Sequence, residues 1–89
     1  MARDQVSAFP AAINAAATFD KQLMYERGRA MGYEFKNKGV NVALAPMTNM
    51  GRVAAGGRNW EGWGGDSYLS GWATAQTVKG LQKAGVQAW

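Results

Sequence analysis

The chain reads as an α/β protein built from about two β–α units. Three observations predict this. Helical patterns over residues 18–39 and 66–85 alternate with short extended runs at 11–16, 40–46 and 86–89. Each helical pattern stops on a glycine, Gly39 or Gly85. An apolar run led by valine follows each stop at once. Alternation of this kind implies parallel strands joined by right-handed crossovers.

The first segment, "VSAFPAAINAAA" (residues 6–17), is apolar and small. Pro10 argues against a helix through its first half, so an extended stretch is expected around Ala11–Ala16, although alanine itself favours helix. "TFDKQLMYERGRAMGYEFKNKG" (18–39) reads as a helix with Asp20 as its N-cap or as a first-turn acid. Leu23, Met24, Arg27, Met31 and Phe35, with Ala30, form its expected apolar stripe. Gly28 and Gly32 weaken it intrinsically, and their spacing suits close packing on a neighbouring element. Its charges, Lys21, Arg27, Arg29, Lys36 and Lys38 among Glu26 and Glu34, read as a solvated face. "VNVALAP" (40–46) reads as a buried strand stopped by Pro46. "DSYLSGWATAQTVKGLQKAG" (66–85) reads as a second helix, capped by Asp66 or Ser67. Its expected stripe is Leu69, Trp72, Ala75, Val78 and Leu81. "VQAW" (86–89) looks like the start of a strand. Two β–α units cannot close a barrel or cover a parallel sheet on both faces. Further chain is therefore expected on either side, and the open strand edges favour self-association.

Composition narrows the chemistry. The 89 residues contain no cysteine and no histidine, which removes thiolate metal sites and the commonest general base. A Ser-His-Asp or Cys-His nucleophile is excluded within this chain. The net charge of +4 is spread without runs, so no nucleic-acid partner is expected. No apolar run reaches the length of a membrane span and no signal peptide is visible, so no membrane contact is expected.

The stretch between strand and second helix, "GRVAAGGRNWEGWGGD" (51–66), combines glycines with arginine, carboxylate and indole. Loops that follow strands in α/β proteins collect binding chemistry, and long ones are usually functional. Arg58 offers a fork of donors suited to sugar hydroxyls or carboxylates. Glu61, three residues on, can hold it. Trp60 and Trp63 can offer flat faces to a sugar ring.

"SAFPAAINAAATFD", "RGRAMGYEFKNKGVNVALAP" and "GRVAAGGRNWEGWGGDSYLSG" resemble consecutive blocks of the fungal β-glucosidases in glycoside hydrolase family 3, with "GGRNWEG" the most specific. The resemblance runs from about Ser7 to Ala88. It implies that residues 1–89 are a fragment of the N-terminal catalytic domain, a partial (β/α)8 TIM-type barrel. It implies a secreted parent that hydrolyses terminal β-glucosyl residues of cello-oligosaccharides and other β-glucosides with retention, as in cellulose breakdown, without metal or cofactor. By the same resemblance Arg58 contacts the glucose hydroxyls, and Glu61 supports Arg58. Asn59 and Trp60 shape and underpin the loop, and Trp63 edges the pocket. The family's upstream Asp-Gly-Pro-Leu-Gly-x-Arg block is not matched, nor is its downstream Lys-His pair. The proline-bearing form of the loop is replaced by "NMGRVAAGGR". The family's nucleophile aspartate and acid/base glutamate lie further along, so no catalytic residue is assigned here and the chain alone is expected to be inactive. The alternative is a non-catalytic segment that binds carbohydrate or a partner.

Overall fold

A computed structural model describes residues 5–89. Helix α1 (Ala12–Ala16) is followed by helix α2 (Lys21–Asn37) and strand β1 (Val42–Ala43). A long loop containing one 3-10 turn (Asn59–Glu61) leads to helix α3 (Ser67–Lys83) and strand β2 (Gln87–Ala88). The two strands pair in parallel, Val42 opposite Gln87 and Ala43 opposite Ala88. The Gln87 N–H donates to Asn41 O at 2.9 Å and the Trp89 N–H to Ala43 O at 3.1 Å.

The expectation of an extended stretch at Ala11–Ala16 is wrong: this segment is helix α1. Pro10 lies outside the helix, and the cap residue Ala11 keeps extended backbone (φ −61°, ψ 155°). The proline therefore costs α1 no hydrogen bond, and alanine propensity prevails. Ala12, Ala15 and Ala16 enter a core with Met24, Trp63, Leu69 and Ala73, against which Trp72 is partly buried.

Asp20 caps α2, its Oδ1 accepting from the Leu23 N–H at 3.1 Å. Asp66 caps α3 in the same way, accepting from the Tyr68 N–H at 3.0 Å. Both helices end in the same glycine turn. Gly39 (φ 83°) donates its N–H to Lys36 O, while the Val40 N–H reaches back to Phe35 O. Gly85 (φ 92°) and Val86 repeat this against Gln82 O and Leu81 O. This is the Schellman motif, which satisfies end carbonyls and turns the chain out of the helix. In both cases the chain then enters a strand.

The buried faces of the helices differ from the expected stripes. What α2 buries is Met24, Gly28 and Gly32, and Leu23 is exposed. What α3 buries is Leu69, Ser70, Ala73, Thr77, Gly80 and Leu81, with Ala75 exposed. The reason is close approach. A Cβ on Gly80 would lie 2.5 Å from Tyr25 O and 2.6 Å from Arg29 N, and one on Gly28 would lie 2.8 Å from Thr77 O. The helices meet backbone to backbone through their smallest residues. The strand, too, is shorter than the apolar run 40–46, because only Val42 and Ala43 have a ladder partner.

Candidate functional site

The loop leaves β1 through Pro46 and returns on itself within a few residues. The Asn49 side chain accepts from the Gly51 N–H at 2.7 Å, and Asn59 Nδ2 donates to Val53 O at 3.0 Å. At Gly62 a Cβ would stand 2.8 Å from Asn49 O, so only glycine lets the returning chain pass the departing one. These clasps hold the 3-10 turn beside the carboxyl end of β1.

Arg58 precedes that turn and Glu61 ends it. Arg58 Nε donates to Glu61 Oε1 at 2.7 Å, and Nη2 donates to Oε2 at 2.8 Å. This is a two-pronged fork, which fixes the plane of the guanidinium as well as its position. The carboxylate is the sheltered partner: the Glu61 side chain is 27% exposed and that of Arg58 80%. The hydrogen bond from Arg58 holds the Glu61 carboxyl below its ordinary range, and the same bond raises Arg58. Both groups therefore stay charged. The outer guanidinium donors meet no acceptor among the described residues.

Asn59, next to Arg58 in sequence, is the clasp to Val53. Trp60 is exposed, whereas Trp63 is 1% exposed and belongs to the core. Trp60, Glu61 and Trp63 nevertheless line one groove of about 420 Å³, together with residues 44–47 at the end of β1. Arg58, Asn59, Trp60 and Glu61 thus come together, with Trp63 behind them.

The described carboxylates are otherwise engaged. Asp20 and Asp66 cap helices. Glu26 pairs with Arg29 at 2.9 Å. Glu34 accepts from the Ser7 hydroxyl at 2.6 Å and from the Ser7 N–H. Retaining hydrolysis of a glycoside needs two carboxyls about 5–5.5 Å apart with a sugar between them. No such pair stands open among the described residues. They also contain no group of three or more potential metal ligands, and no helix long and apolar enough to cross a membrane.

All 89 residues match the Glycosyl hydrolase family 3 N terminal domain. The chain belongs to glycosyl hydrolase family 3. Within this family it is 55% identical over 86 residues to a probable β-glucosidase G of Aspergillus flavus, covering 96% of this chain and 11% of that protein. It is 56% identical over 86 residues to a probable β-glucosidase A of Aspergillus terreus, covering 10% of it. Among solved structures it superposes on a β-glucosidase from Chaetomella raphigera with a TM-score of 0.92 and 48% identity, over 96% of this chain and 12% of that one. It superposes on β-glucosidase 3B from Thermotoga neapolitana in complex with glucose with a TM-score of 0.88 and 40% identity, over 98% and 13%. The chain therefore spans about a tenth of the length of the curated family 3 relatives it matches.

Sequence reading gives Arg27 two places, one in the apolar stripe of α2 and one among its solvated charges. In the family 3 fold observed here it is half-buried, its guanidinium stacked 5.8 Å from the centroid of the Trp63 ring and Nε donating to Pro10 O at 2.8 Å. The visible signal was its spacing: Arg27, Met31 and Phe35 repeat at four-residue steps, and a cation within an apolar row is rarely a solvated one.

Proposed function

We propose that residues 1–89 form part of the catalytic barrel of a secreted family 3 β-glucosidase, in which Arg58 contacts the hydroxyls of the glucose unit being released. One observation carries this reading: an exposed guanidinium, locked in plane by Glu61, beside the carboxyl end of a parallel strand. In barrels and open α/β sheets that end is where substrates are bound. A guanidinium with its inner edge tied to a carboxylate keeps its outer donors aimed at solvent, where sugar hydroxyls can accept. Asn59 and Trp60 shape the loop beneath it, and Trp63 closes the groove behind. The parallel pairing of β1 and β2 supports neighbouring staves of a barrel. On this reading residues 1–89 are a fragment of the N-terminal catalytic domain, two staves with their helices.

The parent reaction is retaining hydrolysis of terminal β-glucosyl residues. Each described carboxylate already has a structural partner, which supports the reading that the nucleophile and the acid/base come from other parts of the protein and that this chain alone is inactive. The experiment is a titration of the ¹⁵N-labelled chain with glucose, read at Arg58 Nε–H, alongside assay with a chromogenic β-glucoside. A saturable shift without turnover is expected. Turnover above buffer that scales with chain concentration would overturn the assignment of the reacting carboxylates.

A further inference from the structure

No residue of 44–61 is buried, so the loop that carries Arg58 places no side chain in the core before Trp63. Its clasps, Asn49 to Gly51 and Asn59 to Val53, tie the loop only to itself. Its hold on the body comes from two neighbours of the 3-10 turn. Trp63, two residues after Glu61, is buried among Ala12, Ala15, Ala16, Met24, Leu69 and Ala73. Helix α1 packs against the turn itself.

Arg27 of α2 joins these two neighbours. Its guanidinium lies on the Trp63 ring, 5.8 Å from the centroid. Its Nε donates at 2.8 Å to the carbonyl of Pro10, two residues before α1 begins. Trp63 Nε1 has no acceptor among the described residues, so packing and the stacked cation orient the ring. Desolvation lowers the pKa of the Arg27 guanidinium, a cost that an apolar side chain would not carry. What arginine supplies is a flat cationic face and a directed Nε–H in one group, which lysine cannot. Every one of these contacts is made within the chain and needs no further segment.

We infer that Arg27 is a positioning residue for Arg58. It fixes the Trp63 ring and the entry to α1 together, and so places the turn on which Arg58 and Glu61 form their fork. Its action on a bound glucose runs through that fork. The inference rests on Arg58 as the sugar contact, a reading that the experiment below tests separately.

The test follows solvent exchange of Arg58 Nε–H in the ¹⁵N-labelled 89-residue chain, first without sugar and then with glucose. Arg27→Lys keeps the charge but loses the stack and the directed Nε–H. Without sugar it should speed Arg58 Nε–H exchange about fivefold or more. In a Trp63→Phe background the same change should add less, because both residues reach the fork through one contact. Unchanged exchange at Arg58 in Arg27→Lys overturns the proposal. So does an equal rise at the backbone amides of α2 and α3, which would mark a general loss of stability. In the unsubstituted chain Arg27 Nε–H should itself be protected; exchange as fast as in free arginine overturns the proposal without any variant having to fold. With glucose, Arg27→Lys should weaken the affinity read at Arg58 by a similar factor. Unchanged affinity beside a loosened fork overturns the proposal. A fork that loosens in a chain showing no glucose binding at all leaves Arg27 as the residue that positions Arg58, and overturns instead the reading of Arg58 as the sugar contact.

Discussion

Replacing Gly80 by alanine sets two known effects against each other. Within a helix, alanine is favoured over glycine by about 1 kcal/mol. At this position, however, the added Cβ would meet Tyr25 O at 2.5 Å and Arg29 N at 2.6 Å. Both atoms are backbone and cannot turn aside, so α2 and α3 must part by about 0.9 Å to restore ordinary contact. A gap of that size forfeits roughly a quarter to a half of the dispersion between the facing surfaces. Overpacking of this kind costs about 3 kcal/mol, leaving a net loss of about 2 kcal/mol. For a domain of this size that lowers the melting temperature by roughly 10 °C. Gly71 provides the control, because it lies on the same helix with nothing within 4 Å of its would-be Cβ. Gly71→Ala should raise stability by about 0.5–1 kcal/mol. Thermal and urea unfolding followed by far-UV circular dichroism measure both. Should Gly80→Ala prove as stable as Gly71→Ala, the backbone-to-backbone account of the helix interface is wrong.

The remaining predictions concern caps and charge. Asp66→Ala removes the acceptor for the Tyr68 N–H and should cost about 1 kcal/mol in urea unfolding, with Asp66→Asn costing less. Glu61 has its folded pKa depressed, chiefly by the hydrogen bond from Arg58. The stability it contributes is therefore complete above the ordinary glutamate value of 4.5 and fades as pH falls through the lower folded value. A ¹³C titration of the Glu61 carboxyl should show a midpoint below 4.5 that returns to the ordinary range in Arg58→Ala. An unchanged midpoint would mean that the fork does not persist in solution. High salt should weaken the pair, since Arg58 is exposed.

What could be read from the residues was whatever depends on local chemistry. Asp20, Asp66, Gly39 and Gly85 mark helix ends because capping is decided within a turn of chain, and all four are where their side chains or φ values require. The parallel pairing followed from alternation. The α1 segment misled because proline's effect depends on whether it stands inside a helix or just before one, a matter of one residue. The stripes on α2 and α3 misled for a different reason. Periodicity weighs side-chain size, whereas the interface selected the absence of side chain at Gly28, Gly32 and Gly80. That choice is made by two helices jointly and is written in neither alone. At the loop, the three-residue spacing of Arg58 and Glu61 made the ion pair legible, while the sheltering of Glu61 and the exposure of Arg58 required the fold. The half-burial of Arg27 on Trp63 joins residues 36 apart in sequence and was hidden until then.

The most direct test of a sugar-contacting Arg58 uses a catalytically complete setting. Residues 7–88 would replace the matching segment of the Aspergillus terreus β-glucosidase, to which this chain is 56% identical, and kcat/KM for cellobiose would be measured with and without Arg58→Ala. Losing hydrogen bonds from a charged donor to the bound sugar should lower kcat/KM by about 10- to 150-fold, in an enzyme whose unfolding midpoint is unchanged. A chimera that turns over cellobiose equally well with alanine at this position would contradict the account.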